Sequence, residues 1–466
     1  MKLLVAIVGI ILPMNALAIG ADAPRLLAFP GAAGAGRFTT GGRGGDVYRV
    51  TTLADDGDGS LRRGLESMQG PRTIVFDVGG TIELGRGLAV RQGRLTIAGE
   101  TAPGSGVVLV NFGLQIAAPH VIVRHLRVRP GDARLGRSGD GGFDGDAISI
   151  TTSDVILDHV STSWGVDENL SVAGEDAQRI TVQYATISEC LAQTGLWHGN
   201  DDSRYAKGGQ KRHSMGSLIK PGEGDGRVSF HHNLWSNNGN RNPAVGNYRS
   251  EFGMQADICA NVIYNNISNG YTSGESRRVQ LNYIGNYVIA GPNTSKSNAA
   301  VAFHANAANR VHIYVAGNRI DAIRNGKLDG LDTGFAMIAG EFQRAESPLA
   351  PLLDSTEKAE TAYEQVLTSA GAMPWNRDAV DQRLIDEVRN QRGQVVDSQD
   401  EVGGYPPLPK ARRDADWDSD ADGMPNAWEA QTGHDPQTAD NNGDVDRDGY
   451  TNLEEYLHAA ASAPVN

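Results

Sequence analysis

The chain has 466 residues, with 42 Lys plus Arg against 56 Asp plus Glu and a formal net charge of −14. Thirteen acids and one base, Arg447, lie after residue 413, so the tail carries −12 and the rest of the chain only −2. This excludes a basic protein that coats nucleic acid, and a hydrophobic content of 39% excludes a disordered acidic chain.

Residues 1–18 have the form of a secretory signal peptide. Lys2 supplies the charge, Leu3 to Leu12 the apolar stretch, and Ala16-Leu17-Ala18 the cleavage site. Pro13 and Asn15 interrupt the run before it reaches the ~20 residues a membrane span needs. The mature protein is therefore expected to be secreted, without membrane association. Export permits a disulfide between Cys190 and Cys259, the only cysteines. Both lie in strand-like runs, so two buried thiols remain equally open.

The 58 glycines and low aromatic content of 6% suit many strands and tight turns. Residues 19–110 hold the strand-like runs RTIVFDV, RLTIAG and VVLVNF, and one short helix candidate, SLRRGLESM, with Ser60 as its N-cap. From residue 120 a unit recurs loosely: HVIVRHLRVRP (from His120), DVILDHVSTSW (Asp154), RITVQYATISE (Arg179), RVSFHHNLWSN (Arg227), ADICANVIYNN (Ala256), RVQLNYIGNYVIA (Arg278) and RVHIYVAGNRID (Arg310). Each passes from alternating β-branched residues through a polar kink into a second short strand. Strand-kink-strand repeats without intervening helices predict an all-β fold, a parallel β-helix solenoid over 19–345. Residues 346–402 change character, with helix-like composition at Thr356 to Thr368 and Arg377 to Gln391. They are expected to pack on the solenoid, and 403–413 reads as a Gly/Pro linker.

The acidic tail is ordered by spacing. Asp418, Asp420, Asp422, Gly423 and Glu429 take positions 1, 3, 5, 6 and 12 of a Ca²⁺ loop. Asp444, Asp446, Asp448, Gly449, Asn452 and Glu455 take positions 1, 3, 5, 6, 9 and 12 of a second. Residues 414–458 resemble the paired calcium loops of dockerins and EF-hand-like repeats. Such a module implies stabilisation or attachment to a partner rather than catalysis.

A second oxygen-rich patch is expected within DGDAISITTSDVILDHVSTSWGVDENLSV, Asp144 to Val172. Alternation turns Ile148, Ile150, Leu170 and Val172 inward and Asp167 and Asn169 outward. Stacked coils would then bring Asp144, Asp146, Asp167 and Asn169 together, and spacing alone leaves two readings equally open, a patch whose natural partner is a cation and ordinary solvated turns with stacked Asn and Asp. Farther on, Arg241-Asn242-Pro243 fixes an arginine in an Asn-rich turn. Basic residues gather in this half: Arg127, Arg129, Arg134, Arg137, Arg204, Lys207, Lys211, Arg212, Lys220 and Arg249. These would hold an anionic chain.

Together LADDGDGSLRRGL, RTIVFDVGGTIEL, LTIAGETAPGSG, VIVRHLRVRPGD, GDAISI, VILDHVSTSW and RNP resemble the pectate lyase family, over about residues 25–345. The resemblance implies a right-handed parallel β-helix and Ca²⁺-assisted β-elimination on polygalacturonate, the anionic polymer of pectin. It implies Asp144, Asp146 and Asp167 as calcium ligands. Asn169, or Glu168, falls where another carboxylate is usual. It implies Arg241 as the catalytic base, with Asp158 and His159 structural. The family's lysine upstream of the R-x-P turn has no clear match in RHSMGSLIK, where Arg212, His213 and Lys220 are the substrate-binding candidates. A guanidinium is a reluctant base, so the scheme needs neighbouring cations or alkaline pH. The expected product is an unsaturated oligogalacturonate, released by a monomeric enzyme. The rival readings are a lyase on another uronate polymer or on methylated pectin, a hydrolase using Asp144 and Asp146, and a non-catalytic carbohydrate binder.

Overall fold

The structure is a computed structural model that describes residues 25–136, 142–192, 213–222, 225–249, 253–273, 278–306, 310–354 and 357–462. The predicted signal peptide lies outside them. Among the described residues the strands form three long sheets of eleven, nine and ten strands. Within the repeating coils each strand pairs in parallel with the strand three places later in the chain. One coil reads Val155–Asp158, Ser161–Ser163, Glu168–Ala173, and Ile180–Gln183 then returns to pair with Val155–Asp158. This is a parallel β-helix, the solenoid expected from the repeats.

The repeated β-branched positions become ladders of the core. Register stacks Leu95, Val121, Val155, Ile180, Val228, Ala256, Leu281 and Ile313 on successive coils, and all are fully buried. The polar kinks become corners. His125, His159, Tyr184 and His232 turn the chain between two sheets at φ of 51–57°. Their rings stack at 4.8–4.9 Å between centroids, the repeat spacing of neighbouring strands. Just after this corner runs a buried asparagine ladder. Asn261 Oδ1 accepts from the Asn233 amide N–H (2.9 Å), and Asn261 Nδ2 donates to the Phe230 carbonyl (3.0 Å) and to Asn286 Oδ1 (2.9 Å). Each side chain thus satisfies groups on neighbouring coils. Asn261→Ala should cost about 1–3 kcal/mol for each polar group it strands, read as a lower urea midpoint with an unchanged slope.

The outer faces of the first two sheets are covered. Phe29, Ala28 and Ala32 lie on Ile122 and Ile156 of the first sheet. Helix Ala359–Ser369 places Ala362, Tyr363 and Val366 against Leu234, Val262 and Tyr287 of the second. Helix Ala379–Arg389 is pinned by a buried quartet. Arg127 reaches Asp381 (2.9 Å), and Arg129 reaches both Asp378 and Asp381 (2.7 Å to Asp381). Arg127 and Arg129, expected among substrate-holding cations, are therefore consumed by the helical extension. The expected linker 403–413 is itself anchored: Ala411–Arg412 pairs antiparallel with Val78–Gly79. Beyond it, Met424, Trp428, Leu453 and Tyr456 pack on Val75 and Ala98 of the first sheet.

Helix Leu61–Glu66 sits near the solenoid's beginning, with Ser60 accepting from the Arg63 N–H and Leu61 and Leu65 buried. Cys190 and Cys259 are buried free thiols, not a disulfide. No helix among the described residues is long and apolar enough to cross a membrane. The third sheet keeps an accessible outer face, where Gln115, Ser149, Leu218 and Tyr271 are half-buried and His304 is exposed.

Candidate functional site

The site lies where successive coils enter the third sheet. Four segments reach this corner. Asp144 to Asp146 precede strand Ile148–Ile150, and Asp167 precedes Glu168–Ala173. His213 precedes Met215–Lys220, and Arg241 precedes Ala244–Val245. Register fixes their stacking, with Ile148 opposite Leu170, Glu168 opposite Met215, and Met215 bridged to Asn240. Neighbouring coils are about 4.8 Å apart, so groups far apart in sequence converge.

Asp146, Asp167 and Glu168 offer oxygens that all lie within 4.8 Å of one another. Asp146 accepts from the Glu168 amide N–H (3.0 Å) and from the Ser171 hydroxyl. Burial and the Asp167 charge push the Asp146 carboxyl up to about 7, against the opposing pull of Ser171, Arg241 and His213. Asp167 is half-exposed and pairs with His213 Nε2 at 3.0 Å. Glu168 is buried and ion-paired with Arg241. Arg241 stands at φ 56° and keeps about a quarter of its side chain exposed. Its tight turn crosses Gly216, where any Cβ would collide with Asn242 and the Arg241 carbonyl.

Asn169 turns into the interior. It is fully buried, its Oδ1 accepts from the Gly165 N–H (2.9 Å), and its Nδ2 donates to the Ser188 carbonyl (2.9 Å) and to Asn238 (3.2 Å). Strand Glu168–Ala173 starts at this corner, and the Asn169 side chain turns back to Gly165 and Ser188 instead of outward. Glu168 takes the place expected of Asn169. Asp144 is not a member of the three-carboxylate cluster; with Asp146 it lines an adjoining cavity of about 450 Å³ that also holds Arg86, Arg91, Gln115 and Ser149. Lys220 stands opposite Ala173, five residues along the strand from the Glu168–Met215 pair. That is roughly 16 Å at the usual strand rise, too far for it to act at this corner. His213 is in the site, held by Asp167. Arg212 lies outside the described residues, as do Arg137, Arg204, Lys207 and Lys211. On the far side of Arg241, Tyr271, His304, Asn269 and Asn306 line a second cavity of about 240 Å³. Among the described residues the accessible face therefore carries one cavity beside the carboxylate cluster and another beyond Arg241, together called the groove.

The tail carries its own carboxylate groups. Asp418, Asp420 and Asp422 offer oxygens within 4.8 Å of one another, as do Asp444, Asp446 and Asp448. Glu429 and Glu455 stand in the helices Asn426–Thr432 and Asn452–Ser462 that follow each loop. Asn452 is buried and its Nδ2 donates to the Asp440 carbonyl (3.0 Å). Trp428 packs in the core of this module rather than facing solvent.

No protein-family model matches the chain. It is 36% identical over 443 residues to a probable pectate lyase C of Emericella nidulans, covering 93% of each chain. A probable pectate lyase C of Aspergillus flavus is 35% identical over 441 residues, covering 93% of this chain and 94% of that one. A solved pectate lyase bound to a hexasaccharide shares the fold at a TM-score of 0.50 and 15% identity, over 76% of this chain and all of that one. A parallel β-helix with an accessible third sheet, matched along nearly its whole length by these relatives, places the chain in the pectate lyase family, as a polysaccharide lyase.

Proposed function

We propose that this chain is a secreted, calcium-dependent pectate lyase that cleaves polygalacturonate by β-elimination and releases 4,5-unsaturated oligogalacturonates. One observation carries the reading: three carboxylates and one accessible arginine meet at a single corner of the open groove. Residues 1–18 supply the export signal.

Asp146, Asp167 and Glu168 fit a calcium ion. They are hard oxygen donors, and burial together with the nearby Asp167 charge makes Asp146 resist ionisation. A Ca²⁺ ion held by Asp146, Asp167 and Glu168 would supply positive charge beside the substrate carboxylate and so make the proton on the adjacent carbon, C5, more acidic. The chain's own residues do the rest. His213 orients Asp167, and Glu168 holds the Arg241 guanidinium at the groove. Arg241 accepts the C5 proton and passes it to the leaving oxygen or to solvent. The C5–H electrons form the C4–C5 double bond, and the C4–O bond breaks with its pair on the leaving oxygen. No water is consumed, which separates this from hydrolysis. A fully esterified chain lacks the carboxylate charge that the cluster and its cation would engage, which favours pectate over methylated pectin.

The test is ultraviolet absorbance of the conjugated product on polygalacturonate, with and without EGTA. Absorbance should rise with Ca²⁺, vanish with EGTA and return on re-addition. Activity indifferent to EGTA would remove calcium from the scheme, and reducing ends without absorbance would mean a hydrolase. The pH dependence has a definite sign. Asp146 must be ionised to hold a cation, and its carboxyl takes up a proton below about 7. The calcium concentration for half-maximal rate should therefore rise as pH falls below 7, by up to about tenfold per unit for one competing proton. A calcium requirement constant from pH 8 to pH 5 would contradict this.

A further inference from the structure

The first acidic loop of the tail is built around a point that protein atoms leave unsatisfied. Asp418 accepts from the Ala421 N–H (2.8 Å) and the Gly423 N–H (3.0 Å), and Asp422 from the Met424 N–H (3.0 Å). These bonds curl the loop so that its three aspartates converge. Glu429 enters from the following helix. It is fully buried, and neither carboxylate oxygen has a hydrogen-bond partner among the described residues. A fifth acid comes from outside the loop. Asp440 donates its amide N–H to Asp422 (3.1 Å), and its own Oδ1 is buried without a partner. Burial and the charges of Asp420, Asp422, Asp418 and Asp440 push the Glu429 carboxyl up to about 7. Stranded buried carboxylate oxygens are costly, and three converging acids with Glu429 and Asp440 beside them call for a hard divalent cation.

The same loop is joined to the solenoid. Arg49, on strand Asp46–Val50, reaches the Asp418 carboxylate (3.5 Å) and donates to its carbonyl (3.3 Å). Met424, two residues past Asp422, is fully buried with Val75 and Ala98. Arg43 pairs with Glu454 (2.8 Å), and Asn442 donates to the Gly45 carbonyl (3.0 Å). The apolar face of the module is thus spent on its own chain.

We propose that Asp418, Asp420, Asp422, Glu429 and Asp440 bind one Ca²⁺, and that this ion clamps the C-terminal module onto the first coils of the β-helix. Its role is to hold the solenoid's beginning closed rather than to attach the enzyme to a partner. Without the ion, mutual repulsion loosens the loop, withdraws Met424 and exposes Val75 and Ala98. The ion is distinct from any at the groove, which lies on the third sheet.

The test uses the full-length protein stripped with EGTA and titrated with Ca²⁺, beside Glu429→Gln and Asp146→Asn. Two readouts are followed, the melting temperature and hydrogen exchange of Asp46–Val50, Arg72–Phe76 and the distant Arg278–Ile284. In the wild type, Ca²⁺ should raise the melting temperature by several degrees and slow exchange about tenfold or more in the first two strands, with little effect on the third. Glu429→Gln relieves repulsion, so its calcium-free form should be no less stable than the wild type; the slowing of exchange in the first two strands should be lost, and the melting shift should shrink to what the other calcium sites contribute. Asp146→Asn should keep both responses; whether it retains activity bears on the groove, not on the clamp. If Glu429→Gln fails to fold, Asp440→Asn should weaken the same responses. The clamp is overturned if the Glu429 and Asp440 variants respond like the wild type, if the response is lost in Asp146→Asn instead, or if protection spreads evenly to Arg278–Ile284.

Discussion

Arg241→Ala should lower kcat on polygalacturonate by about 10²–10⁴-fold, the usual worth of a positioned proton acceptor, while KM changes little. The expectation follows from where Arg241 stands. Its guanidinium meets Glu168, and it also acts on Asp146, yet a quarter of the side chain still faces the groove. The substrate would be held by the cation at the carboxylates and by the groove on either side, none of which this substitution removes. Loss of kcat with KM preserved marks an interaction made only in the transition state. An equal rise in KM alone would make Arg241 a substrate clamp. Undiminished turnover would remove it from the chemistry. Because Arg241 also balances the carboxylates, the calcium requirement of the variant should not increase. Arg241→Lys would show whether charge alone restores the rate or whether the guanidinium geometry is needed.

The largest effect on stability is expected at Asp381. Its carboxylate receives Arg127, Arg129 and the Ser161 hydroxyl (3.0 Å), and all four groups are fully buried. Asp381→Ala leaves two arginines in the interior with only Asp378 to answer them. Removing one partner from such a set costs about 3–5 kcal/mol, measured as a lower urea midpoint. The cost arises in desolvation, so replacing the whole quartet by apolar residues of matched volume should be far milder than removing one member. The exposed Arg319–Glu360 pair, by contrast, should be nearly silent when broken. A loss below about 1 kcal/mol at Asp381 would mean that water reaches the quartet. The helix it anchors also carries Arg383, which pairs with the buried Glu189 (2.6 Å), and Glu189 in turn accepts from the Trp164 indole N–H (3.1 Å). Trp164 is three residues before Asp167, so undocking this helix should also lower activity.

The sequence carried the architecture because a solenoid is locally encoded. Each coil repeats the same short alternation of β-branched residues, and each kink must tolerate a left-handed turn, so Asn, His and Gly recur there. The legible part of the groove has the same origin: Asp146, Asp167 and Arg241 each sit just before a strand of the third sheet. Asn169 and Glu168 show where that logic stops. Alternation describes the middle of a strand, and these are the first two residues of Glu168–Ala173, where hydrogen bonds to Gly165, Ser188 and Asn238 draw Asn169 into the interior. Lys220 lies close to His213 in sequence, but an extended strand carries it away from the site.

The sequence by itself therefore determined the stacked-strand fold, the two acidic loops and the arginine turn, because these depend on residues within a few positions of one another. Tertiary structure decided the fate of charges whose partners are remote. Arg127 and Arg129 look like groove cations until the helical extension, some 250 residues later, buries them against Asp378 and Asp381. Asp440 looks like tail charge until folding brings it beside Asp422. Local spacing sets the direction a side chain takes from its own backbone. Whether that direction leads to water, to a cation or to an opposite charge is settled only when distant segments have packed, because burial and pairing are properties of the space between segments.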